Sequence, residues 1–146
     1  MILTRVILHV SDTPDFAEFL PDGTLNRDFD KFGLKDINEW HVAKGWRCCG
    51  YHWIIRRTGV LEAGRPEDEE GAHCHGRNED SLGVCYVGRR LPTVAQLNTL
   101  EGLYRGIRER HAIVADQWFG HYEYDPNRTC PNISMEVMRR WMKTLP

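Results

Sequence analysis

The stretch from Ser81 to Ile107 constrains the fold most. Ser81 to Val87 is a short strand-like run, and soon after it Thr93 and Gln96 frame a helix start in which each can cap the other. Beyond that start, Val94, Leu97, Leu100, Leu103, Tyr104 and Ile107 recur at helical spacing and form a core stripe. A strand followed by a helix with one apolar face needs a sheet to bury that face, which points to an α/β layer. Arg5 to Val10 supplies another buried strand with β-branched content, stopped by the polar turn that begins at Ser11-Asp12-Thr13-Pro14, so His9 stands at a strand's end. Tyr51 to Arg57 and Val60 to Glu62, joined by Thr58-Gly59, read as a hairpin, and Ala112 to Val114 as a last short strand. Asp36 with Glu39 predicts a capping box, opening a short helix through Ile37, Trp40, His41 and Lys44 that ends near Gly45. A final helix runs from near Ser134 over Met135 to Met142. Residues 12 to 33 read as a long ordered loop and residues 65 to 80 as a polar one. With no internal repeat, low-complexity tract or linker, residues 1–146 are expected to form one α/β domain, a central mixed β-sheet flanked by helices.

Composition removes several classes of function. The chain has 146 residues and is 41% hydrophobic, a size that buries roughly two-thirds of its unfolded surface, so no metal is needed merely to fold it. A net charge of −2 lacks the overall basic field of a non-specific nucleic-acid binder. Ile2 to Val10 is broken by Thr4, Arg5 and His9 and falls short of the ~20 apolar residues of a membrane span. It also lacks the ordered regions of a secretory signal, so synthesis is expected in the cytoplasm, with no membrane partner. The five cysteines, 48, 49, 74, 85 and 130, are odd in number and without C-x-x-C spacing, against both a disulfide framework and a zinc ribbon. Cys85 reads as a small core residue, and Cys48-Cys49 as filling space.

His9, His121 and Cys130 carry the chemistry to consider. His9 closes the run Val6-Ile7-Leu8, while His121 and Cys130 sit in Gly120-His121 and Thr129-Cys130-Pro131. Zinc takes imidazole and thiolate ligands, and a catalytic site keeps three protein ligands with a fourth position open, a count these residues meet. Taken singly, His9 and His121 fit hydrogen-bonded structural histidines just as well, and Cys130 an inert thiol. Between them lie Gly50-Tyr51-His52-Trp53-Ile54-Ile55, Gly59-Val60-Leu61-Glu62-Ala63-Gly64-Arg65 and Ser81-Leu82-Gly83-Val84-Cys85-Tyr86-Val87-Gly88. In that order and at those separations, the chain from about Arg5 to Trp141 resembles the zinc-dependent N-acetylmuramoyl-L-alanine amidases of phage endolysins and animal peptidoglycan-recognition proteins.

The resemblance implies a peptidoglycan-recognition-protein-like fold and one Zn2+ ligated by His9, His121 and Cys130. It implies that Tyr51 points into the site near the reacting water, where its rival fate is that of a half-buried strand aromatic. Arg128, two residues before Cys130, stands where the phage enzymes have lysine. Arginine keeps the charge but does not give up its proton near neutral pH, so it suits oxyanion stabilisation and not base catalysis. A solvated loop arginine is the plain alternative. His73, Asn78 and Arg65 match family positions at the substrate cleft. His52, on the face opposite Tyr51, is structural, whereas His41 and His111 read as helix-surface or helix-end residues and Glu67 to Glu70 as a solvated acidic loop. The implied activity is cleavage of the amide between N-acetylmuramic acid and the L-alanine of the stem peptide. A monomeric phage or prophage endolysin, acting on the cell wall after release by a separate membrane-permeabilising protein, fits it. The alternatives are a non-catalytic peptidoglycan-binding domain, against which Cys130 argues, and an injected or secreted antibacterial amidase effector.

Overall fold

The computed structural model describes residues 1–146. Five strands form one mixed sheet: β1 (Arg5–Val10), β2 (Trp53–Ile55), β3 (Leu61–Ala63), β4 (Ser81–Tyr86) and β5 (Trp118–Gly120). Their order is β3-β2-β4-β1-β5, with β2, β4, β1 and β5 parallel and β3 antiparallel at one edge. Three helices, α1 (Leu34–Ala43), α2 (Val94–His111) and α3 (Met135–Lys143), flank it.

Strand alternation divides the core between the two faces of the sheet. Val6, Leu8 and Val10 of β1 and Leu82, Val84 and Tyr86 of β4 pack with Leu100, Leu103, Tyr104 and Ile107 of α2 and Met135, Met138 and Met142 of α3. Cys85 of β4 and Ile54 of β2 face the other way and pack with Ile37 of α1, Cys49 and Val87. Both central strands are buried on both faces, as a parallel sheet between helices requires. Each fully buried aliphatic side chain, such as Ile7, Leu8 or Leu82, contributes roughly 1.5–3 kcal/mol.

Where local chemistry dominates, elements lie where the sequence places them. β1 spans Arg5–Val10, α2 opens on reciprocal Thr93 and Gln96 caps, and the Ser134 hydroxyl accepts from Val137 N–H at the start of α3. Four expectations are corrected. Asp36 is the third residue of α1 and not its cap; its carboxylate accepts from Gly33 N–H at 2.9 Å. Val94, read as core, is 75% exposed, because it lies at the first position of α2 beyond the sheet. The first hairpin strand, expected over Tyr51 to Arg57, shrinks to Trp53–Ile55, and the second, expected over Val60 to Glu62, shifts by one residue to Leu61–Ala63. Ala112 to Val114 is no strand: Ala112 adopts the left-handed conformation that ends α2, and pairing resumes only at Trp118. Residues 12–33 hold one isolated bridge, Phe19 to Leu25, and no longer element before α1.

Candidate metal centre and its cleft

Register brings the site together. Leu8 of β1 pairs with Gly120, the last residue of β5, so His9 near the end of β1 and His121, which opens the 3-10 turn just after β5, are neighbours at the carboxyl ends of parallel strands. Ligand sites in open α/β sheets favour such ends. The two imidazole centroids are 4.7 Å apart. Cys130 arrives from the loop between β5 and α3, where its carbonyl accepts from Tyr122 N–H at 2.9 Å and its Sγ accepts from Val10 N–H at 3.3 Å. The Tyr86 hydroxyl donates to the Pro131 carbonyl and anchors the same loop to β4. One ligand atom from each of His9, His121 and Cys130 lies within 4.8 Å of the others, a group that can hold a metal ion.

The donor chemistry suits a soft-to-borderline divalent cation. Metal ligation needs neutral imidazoles. Burial pushes His9 well below its ordinary range, and His73, His121 and Arg128 nearby push the same way. Burial, with Arg128, also lowers His121. Burial pushes the Cys130 thiol up to about 11, so a thiolate there calls for a compensating cation.

A groove opens over this group in two lobes that share Trp46, Ala72, His73, His121 and Arg128. The lobe above His9, Tyr51 and Cys130 encloses about 430 Å³, and the lobe lined by Asn78, Tyr124 and Asp125 about 490 Å³. Tyr51 lies with its ring centroid 5.0 Å from that of His9. Burial, reinforced by the neighbouring Cys85, Cys130 and Cys49 thiols, holds its hydroxyl well above the ordinary phenol range, so it stays a hydrogen-bond donor at neutral pH. Arg128 lines both lobes, has a largely exposed side chain and pairs with Asp125 at 3.3 Å.

The other expected site residues divide. His73 borders the groove but is buried, with Nδ1 2.9 Å from His9 Nε2. Asn78 lines the outer lobe while its Oδ1 accepts from the backbone N–H groups of His73 and Cys74. Arg65 lines neither lobe; its buried guanidinium donates to the Cys49 and Glu70 carbonyls at 2.9 Å each. His52 is fully buried beside β4, where its Nδ1 accepts from Gly83 N–H at 2.9 Å, its Nε2 donates to the Glu69 carbonyl at 2.8 Å, and its ring lies 5.9 Å from that of His73.

Two readings change. His41 is buried, not on the helix surface: its Nδ1 accepts from Gly50 N–H at 2.8 Å, its ring packs on Trp46 and Tyr51, and it lines the inner lobe. Burial, then Lys44 and Arg65, lower it to about 4. The signal was present, since His41 falls four residues after Ile37 on the buried stripe of α1. Glu67 is not part of a solvated loop, because it accepts from Trp53 Nε1, Arg110 and His111 together.

The N-acetylmuramoyl-L-alanine amidase family profile matches residues 3–133. The endolysin of Enterobacteria phage K11 is 37% identical over 123 residues, which cover 77% of this chain and 76% of that protein. Among solved structures, N-acetylmuramoyl-L-alanine amidase LysC from Clostridium intestinale URNW superposes with a TM-score of 0.78 at 23% identity, over 97% of this chain and 85% of that one. Peptidoglycan recognition protein-LE in complex with tracheal cytotoxin gives 0.76 at 23% identity, over 95% and 80%. At that identity the two structures bear on the fold alone, whereas the profile match and the endolysin identity show that this chain belongs to the N-acetylmuramoyl-L-alanine amidase family.

Proposed function

We propose that residues 1–146 act as one zinc-dependent amidase domain that hydrolyses, in peptidoglycan, the amide between the lactyl group of N-acetylmuramic acid and the L-alanine of the stem peptide. The observation that carries this reading is the convergence of His9, His121 and Cys130 within 4.8 Å at the floor of a groove. Those three residues would hold the ion. A zinc ion in a three-ligand site supplies Lewis acidity, which polarises a carbonyl and acidifies water.

The chain's own residues supply the rest. Tyr51, protonated through neutral pH and beside His9, donates a hydrogen bond to the oxygen on which charge develops as the carbonyl carbon becomes tetrahedral. Arg128 sets a fixed positive charge over the same groove and stabilises that oxygen electrostatically; it does not transfer a proton. The walls formed by Trp46 and His41 exclude water from one side of the bond. A non-catalytic peptidoglycan-binding role would not call for Cys130, whose thiol completes the ligand group.

The relatives named endolysins support a phage or prophage endolysin that reaches the cell wall after release, helped by a separate membrane-permeabilising protein. No helix of the chain is long and apolar enough to cross a membrane. The test is mass spectrometry of purified muropeptides after incubation with the protein, with and without a chelator. Chelator-sensitive separation of sugar from intact stem peptide is expected. Unchanged muropeptides at stoichiometric zinc would overturn the reading.

A further inference from the structure

The His9 imidazole is held from behind by a chain of hydrogen bonds. Its Nδ1 faces Cys130 Sγ at 3.7 Å, and its Nε2 lies 2.9 Å from His73 Nδ1. His73 Nε2 is 3.3 Å from Ser81 Oγ, and the Ser81 hydroxyl donates to the Arg77 carbonyl at 2.5 Å. That last bond sets the direction of the others, because a backbone carbonyl only accepts. Ser81 gives its single proton to Arg77, so its lone pairs accept from His73 Nε2–H. A neutral imidazole carries one N–H, which leaves His73 Nδ1 bare and able to accept from His9 Nε2–H. His9 Nδ1 is then a free lone pair on the side of Cys130. Both rings are buried and neither has a carboxylate partner, the setting of neutral imidazoles.

We propose that His73 is a positioning residue: the chain from Arg77 through Ser81 and His73 locks His9 as the Nε2–H tautomer and aims its Nδ1 lone pair into the metal centre. This rests on the ligand reading above. Metal-bound histidines usually donate their second N–H to a carboxylate or a carbonyl, and here a neutral imidazole takes that place. The surroundings are built to hold His73. Asn78 Oδ1 clamps the backbone N–H groups of His73 and Cys74 at 2.9 and 3.0 Å. The ring sits against Gly83, where any Cβ would come within 2.6 Å of it. Asn78, Ser81 and Gly83 thus serve His73, and His73 serves His9.

Two measurements test this. Long-range 1H–15N NMR of the imidazole nitrogens, on the full chain stripped of metal, is expected to show Nε2–H and a bare Nδ1 at both His9 and His73. A protonated Nδ1 at His9 overturns the proposal without any variant having to fold. Zinc affinity, read by competition with a chromogenic chelator, is expected to fall roughly 10–100-fold in His73→Phe and less in Ser81→Ala. His73→Gln, whose amide oxygen can accept from His9, should recover part of the loss. Wild-type affinity in a folded His73→Phe overturns the proposal. Wild-type protein that binds no zinc would instead remove the ligand reading, and the NMR spectrum alone would then decide the tautomer.

Discussion

Cys130 Sγ lies 3.7 Å from His9 Nδ1, although 121 positions separate the two residues in the chain. Their contact, with His121 beside them, makes the metal reading directly measurable. One zinc per chain is expected by metal analysis of the purified protein, with Cys130→Ser and His121→Ala each losing most of it. Stoichiometric zinc that survives substitution of any two of the three residues would sink the assignment.

Tyr51→Phe removes one hydroxyl beside the ligand group and leaves the ring packed between His9 and His41. Zinc content and thermal stability should stay near wild type, while turnover drops by about 10²-fold, the scale of one oxyanion donor. Wild-type turnover in a zinc-replete variant would assign Tyr51 a packing role only.

Arg128 is held only by Asp125 at 3.3 Å and reaches over both lobes of the groove. If its charge stabilises the oxyanion, Arg128→Ala should lower kcat by roughly 10²-fold, and Arg128→Lys should restore part, since the charge remains but the planar fork is lost. Should lysine outperform arginine and bring a new alkaline limb to the pH–rate profile, the residue transfers protons instead. Both variants turning over like wild type would make it a solvated loop residue.

Glu67 ties the 65–80 loop to β2 and to the end of α2. Burial pushes its carboxyl up, but hydrogen bonds from Arg110, His111 and Trp53 outweigh that and hold it down to about 2, against 4.5 unperturbed. A depressed carboxyl contributes stability that is full above the unfolded value and is lost as pH falls through the folded one. Glu67→Gln is therefore expected to lower unfolding free energy on the order of 1–2 kcal/mol at pH 7, less than the whole shift implies because Arg110 is 47% exposed and screened. In urea titrations the gap between wild type and variant should hold steady down to about pH 4.5 and close towards pH 2. A gap independent of pH would trace the effect to packing.

Read alone, the chain settles what neighbours within a few residues decide. The β-branched run of β1, the Thr93–Gln96 caps of α2 and the Ser134 start of α3 were legible because strand propensity and capping act over one turn or less. The motif contexts around His9, Tyr51, His121 and Cys130 were legible as a resemblance, which implies His9, His121 and Cys130 as ligands though no local rule could bring them together. Long-range contacts settle the rest. The Leu8 to Gly120 register sets His9 against His121. A buried stripe position turns His41 from a surface histidine into a groove wall, and three distant donors turn Glu67 from a loop acid into a clasp. His73 and Arg65 differ for the same reason, since the sequence marks both as cleft residues and only packing shows the first bonded to His9 and the second to backbone carbonyls. Each of these outcomes depends on partners far away in the chain, and burial and hydrogen-bond satisfaction act on the folded neighbourhood, which local patterning does not encode.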